Sequence, residues 1–144
     1  MILEAFLTLH IDGKNHKVSA NVYDKAYRIS VNGYSVGRIL QVAGKWECGS
    51  KSLNPYADYI INQFATVRKK CKWNLPENLR SKILWGRYDI DNDSLVCAIV
   101  DNISFGWFEA ELKAALKANN IQPNILIRLH QPRIIRYYDK DFLI

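Results

Sequence analysis

Three dipeptides, Asp12-Gly13, Asn32-Gly33 and Ala43-Gly44, divide the first fifty residues into runs in which apolar and polar side chains alternate. Asn-Gly and Asp-Gly between such runs mark two-residue hairpin turns, because both central residues of a type I′ turn need positive φ. A tight turn also sets strand register, and register decides which side chains reach the core. This stretch therefore predicts an antiparallel meander.

The arms can be read individually. Ala5, Leu7, Leu9 and Ile11 alternate with Phe6, Thr8 and His10 ahead of the first turn. From His16 to Tyr23, Val18, Ala20 and Val22 share one face, opposite Lys17, Ser19 and Asn21. That is the period of a half-buried strand. Ala26 to Val31 and Tyr34 to Val42 flank Asn32-Gly33, and Gly37 inside the second arm predicts a bulge or a close backbone approach. Lys45 to Cys48 adds a short last strand.

A helix follows. Asn54 offers an N-cap side chain, and Pro55 a φ already suited to a first turn. Tyr56, Ile60, Ile61, Phe64 and Val67 fall at helical spacing, which predicts an amphipathic helix of about fourteen to sixteen residues. Pro76 to Leu79 opens a short helix expected to carry Leu79, Ile83 and Leu84 inward and to end at Gly86. Arg87 to Ile90 and Leu95 to Val100 then pair across an Asp/Asn-rich turn. The second of these runs is apolar without alternation, so it belongs in a sheet centre buried on both faces. Ser104 caps a helix over 105–118, and Ile125 to His130 with Arg133 to Tyr138 forms a last hairpin through Gln131-Pro132.

The fold class is thus α+β. A β-meander plus helix over 1–72 precedes a short helix, hairpin, helix and hairpin over 73–144, packed as one compact domain or two small subdomains. A chain of 144 residues buries roughly two-thirds of its unfolded surface without metal or disulfide support. Cys48, Cys71 and Cys97 are odd in number and lack C-x-x-C spacing, which fits reduced thiols in the cytoplasm. The start, Met1-Ile2-Leu3-Glu4, has no basic region and reads as a first strand, not a secretory signal. No apolar window is long enough to cross a membrane as a helix.

Several patterns bear on chemistry. Asp89-Ile90-Asp91-Asn92-Asp93-Ser94 resembles the opening of a calcium loop, but the sixth and twelfth positions are Ser94 and Val100, where such a loop needs Gly and Glu. A hairpin turn accounts for it. His10, His16 and His130 have no metal-ligand spacing, and no phosphate-loop or nucleophile-elbow motif occurs. Cys71 follows three cations, which would lower a thiol's pKa, yet no neighbouring base marks it as a nucleophile. An active site would have to be assembled from distant residues, with His10, Glu47, Cys48 and Asp89 as first candidates. No cofactor or metal is expected.

Two groups point to binding instead. The net charge is +6, and the excess concentrates at Lys51, Arg68, Lys69, Lys70 and Lys72, the last four at the end of the first helix. Cations there complement the helix dipole, but four in five positions exceed what a cap needs. The second group is Arg128, Arg133, Arg136, Tyr137 and Tyr138, of residue types enriched at protein hot spots and at nucleic-acid contacts. Period two divides these five between opposite faces, which weakens a nucleic-acid platform. The expected function is a non-enzymatic protein-binding module, an inhibitor, immunity protein or adaptor of the kind microbes and phages encode. The alternative is a nucleic-acid-associated protein holding phosphates through Arg68–Lys72.

Overall fold

The computed structural model describes residues 2–24, 26–132 and 139–144. At all three expected turns both residues adopt positive φ: 51° and 73° at Asp12-Gly13, 50° and 86° at Asn32-Gly33, 51° and 80° at Ala43-Gly44. The first joins β1 (Leu3–Ile11) to β2 (Lys14–Asn21). The second joins β3 (Tyr27–Val31) to β4 (Tyr34–Val42), and the third joins β4 to β5 (Lys45–Cys48). Asn32 does more than turn the chain. Its Oδ1 accepts from the Lys17 backbone N–H at 2.9 Å, and its own N–H donates to the Lys17 carbonyl at 2.9 Å. The expected irregularity at Gly37 is a bulge, since Ile29 faces Gly37 while Ser30 faces Ser35, with Val36 as the extra residue.

Asn54 does not cap a helix. It begins a 3₁₀ turn, Asn54–Tyr56, and its Oδ1 accepts from the Cys48 backbone N–H at 2.9 Å, tying the end of β5 to the helix entry. The helix proper, α1, spans Ala57–Lys70 and buries Ala57, Ile60, Ile61, Phe64 and Val67. The next helix, α2, is only Glu77–Arg80. Ile83 and Leu84 leave it for a strand, β6 (Ile83–Asp89), so Gly86 sits inside a strand and ends no helix. Pairing on both sides outweighs local helix propensity here. A Cβ at Gly86 would stand 3.0 Å from Leu3 Cδ1, so the glycine admits that side chain. Ser104 does cap α3 (Phe105–Ala118), its Oγ accepting from the Trp107 N–H at 3.1 Å. β7 (Ser94–Ile99) precedes α3, and β8 (Leu126–His130) pairs antiparallel with β9 (Asp139–Leu143). The hairpin arm expected over Arg133 to Tyr138 lies outside the described residues.

Among the described residues nine strands form one sheet in the order β5-β4-β3-β2-β1-β6-β7-β8-β9. Most neighbours are antiparallel, but β1 pairs with β6, and β7 with β8, in parallel. The first strand therefore lies mid-sheet, and the segments 1–72 and 73–144 share one ladder across Leu3↔Gly86 and Phe6↔Asp89. One apolar cluster runs beneath it, from Leu7, Ile29 and Phe64 to Phe108, Leu129 and Phe142. Both long helices cover the same sheet face. The Tyr27 and Phe64 rings meet at 5.6 Å on the α1 side, and Lys113 of α3 lies over the Phe142 ring. In β7, Leu95, Cys97 and Ile99 face the helices, while Ala98 is buried on the other face and Val96 half-buried. Ser94 is half-buried there too, so the expected two-sided burial is met only in part.

Candidate functional site

The basic cluster at the end of α1 is unevenly engaged. Arg68, Lys69 and Lys72 are exposed. Lys70 is drawn to the turn between β6 and β7, where its Nζ lies 2.9 Å from Asp93 Oδ1. Tyr88 donates its hydroxyl to the same carboxylate. Burial alone would raise the Asp93 pKa, but the bonds from Tyr88 and Lys70 outweigh it and hold the carboxyl below its ordinary value. One of the four cations is thus already committed to a partner inside the fold. Cys71 is buried among them, and burial pushes its thiol up to about 12 against the opposing pull of Lys70. The expectation that cationic neighbours lower it fails because desolvation is the larger effect.

The acids of the calcium-like stretch are also committed inside the fold. Asp89 accepts from the backbone and side chain of Asn92, at 3.2 and 2.7 Å. Asp91 Oδ2 accepts from the Thr8 N–H at 3.0 Å, just beyond the point where β1 and β6 stop pairing. The segment works as a hairpin turn that also closes the sheet seam.

Arg128 stands on β8 and points away from the helices. Its guanidinium meets Asp141 of β9 through Nε at 2.8 Å and Nη2 at 3.1 Å, and this bond holds the Asp141 carboxyl below the usual carboxylate range. Arg133, Arg136, Tyr137 and Tyr138 lie outside the described residues. The helix-end cluster and Arg128 occupy opposite sides of the sheet.

What joins Arg128 instead is a surface that sequence reading left unassembled. Among the described residues no helix covers the second sheet face. Strand register lays Glu4, Arg87, Val96, Arg128 and Asp141 in one row across five strands. Arg87 lies 3.7 Å from Glu4, so the row's charges compensate internally. Beside it, Lys17 sits 4.2 Å and Arg87 4.8 Å from the Phe6 ring centroid, clasping the ring between two cations. Trp85 approaches the His130 ring at 6.1 Å and borders a hollow with Ile2, Glu4, Gly86 and Arg87. Leu126 and Leu143, opposite one another on β8 and β9, are exposed on the same face.

Toward the other edge the compensation stops. Arg28 of β3 stands directly opposite Arg38 of β4, and Asp24 and Ala26 complete the lining of a hollow of about 350 Å³. Like charges directly opposite are destabilising by some tenths of a kcal/mol to about 1 kcal/mol. Farther along β4, Leu40 and Val42 are 46% and 47% exposed. They project on the Arg38 side, opposite Glu47 and Lys45 of β5.

The chain matches no protein-family model, no curated protein and no solved structure.

The distant candidates for an assembled active site stay apart. Cys48 and Glu47 lie on the β5 edge, and Asp89 lies on β6, five strand spacings away. At about 4.8 Å per strand that is roughly 24 Å along the sheet. His10 is on β1, four spacings from β5. Among the described residues no three His, Cys, Asp or Glu side chains converge in metal-binding geometry. No described helix is long and apolar enough to cross a membrane. Of the residues that sequence reading missed, Phe6, Lys17, Arg28 and Arg87 carried only a parity signal, each falling on the polar side of its strand, while Arg38 shares its side of β4 with Leu40 and Val42.

Proposed function

We propose that this chain is a protein-binding module of the inhibitor, immunity or adaptor type, meeting its partner with the open face of its sheet. One observation carries the reading. Among the described residues a whole face of a nine-stranded sheet has no helix over it, and it presents aromatic, arginine and exposed leucine side chains together. Aromatic residues and arginine are enriched at protein interfaces, and clustered exposed apolar groups mark interaction surfaces. The internal pairing of Arg87 with Glu4 and Arg128 with Asp141 favours a protein partner over a polyanion, because those cations are already neutralised. Three free cysteines fit a reducing compartment, and we place the protein in the cytoplasm.

Tagged protein mixed with lysate should recover a protein partner. The Leu126→Glu/Leu143→Glu variant should lose it, while Arg68→Glu/Lys69→Glu/Lys72→Glu should retain it. Recovery of nucleic acid alone would support the helix-end alternative. In that case affinity should fall about 10³-fold or more between 50 and 200 mM salt if six or more phosphates are neutralised.

A further inference from the structure

We infer that Arg28 and Arg38 form a clamp for carboxylates carried by an acidic segment of the partner protein, a proposal that rests on the protein-binding reading. The cations of the open face can be ranked by what already neutralises them. Arg87 has Glu4, Arg128 has Asp141, and Lys17 lies over Phe6. Arg28 and Arg38 alone in this set face each other across a strand pair, and neither makes an ion pair among the described residues. Directly opposed positions set Cβ atoms about 4.5–5.5 Å apart, so the two side chains leave the sheet side by side and both line the hollow. Planar guanidinium forks match carboxylate oxygens in bidentate fashion. A bound carboxylate would also relieve the repulsion between two like charges directly opposite.

The surroundings favour a peptide over a nucleic acid. Glu47 stands across from Leu40, so a continuous phosphate backbone running on past the arginine pair would meet a negative charge there. Among the described residues no aromatic ring lines the hollow for a base to stack on. Leu40 and Val42 instead offer apolar contact two and four residues beyond Arg38 on the same side of β4. That spacing suits an extended segment whose residues i, i+2 and i+4, which share one face, are acidic, apolar and apolar.

The test uses the full ¹⁵N-labelled chain and the hexapeptide Glu-Ser-Leu-Ser-Leu-Ser as probe, with hexathymidylate in parallel. The peptide should shift the Arg28 and Arg38 Nε–Hε resonances. Arg28→Gln/Arg38→Gln should weaken it about tenfold, as expected for lost charge-assisted bonds, while Arg68→Gln/Lys69→Gln leaves it within about twofold. Without peptide, either single Arg→Gln variant should raise the urea midpoint. Unmoved arginine resonances, or equal binding of hexathymidylate at the pair, would overturn the clamp. So would a captured partner that the double variant holds as well as the wild type, with the protein-binding reading intact. If the wild type captures no protein at all, that reading falls first.

Discussion

The ammonium of Lys70 lies 2.9 Å from Asp93 Oδ1, and the Tyr88 hydroxyl donates to that same oxygen. One carboxylate thereby joins the last turn of α1, strand β6 and the β6–β7 turn. Asp93 also holds φ at 50°, which Asn tolerates as well as Asp. Asp93→Asn keeps the turn and removes the charge, so it isolates the network. It should cost about 1–2 kcal/mol in urea denaturation, most of it at the buried Tyr88 hydroxyl. Lys70→Gln should cost less than about 1 kcal/mol because that pair is partly solvent-screened. A double-mutant cycle of Tyr88→Phe with Asp93→Asn should show coupling, and additivity would mean the bond contributes nothing.

Acid should find this network. Asp93 and Asp141 both have folded pKa values below the ordinary carboxylate value, Asp93 because Tyr88 and Lys70 outweigh its burial, Asp141 chiefly through Arg128. A lowered folded pKa gives stability that is complete above the unfolded value and lost as pH falls toward the folded one. The urea midpoint should therefore fall below about pH 4. Asp93→Asn and Asp141→Asn should each flatten that fall; a wild-type slope in both would remove the assignment.

Burial pushes the Cys71 and Cys97 thiols up to about 12, so both stay protonated near neutrality. Cys48 is only half-buried, at the β5 edge. A thiol-exchange reagent at pH 8 should modify one cysteine in the folded protein and all three in denaturant. Rapid modification of two native thiols would contradict the burial of Cys71.

Ala43 holds φ at 51° at an exposed hairpin tip, where a Cβ is unfavourable. Its equivalents in the other two turns are Asp12 and Asn32, which relieve that conformation. Ala43→Asn should stabilise the chain by about 0.5–1 kcal/mol, read as a rise in urea midpoint. A fall would mean that the tip is held by something other than turn preference.

Local chemistry made the strands, turns and capped helix readable in advance, because each depends on residues a few positions apart. Asp12-Gly13, Asn32-Gly33 and Ser104 act within their own loops. The misreadings came where distant pairing decided. Ile83 and Leu84 look like helix until β1 and β7 pair with the segment that follows α2. Asn54 looks like a cap until Cys48 supplies its N–H. The open face was illegible for the same reason. Alternation tells which side Phe6, Lys17 and Arg87 share on their own strands, but only the parallel union of β1 with β6 makes Arg87 a neighbour of Phe6. Cys71 shows the complement: its charged neighbours are visible in sequence, whereas the depth that overrules them is not.

The mid-sheet place of β1 has a consequence during synthesis. The edge of Leu3 to Phe6 waits for Gly86 to Asp89, a gap matching the 83 residues between Thr8 and Asp91. At about 5–20 residues per second, a ribosome leaves those amides and carbonyls bare for roughly 4–17 s. A nascent chain halted near residue 80 would present a ready template to any neighbouring strand, including one from another ribosome on the same message.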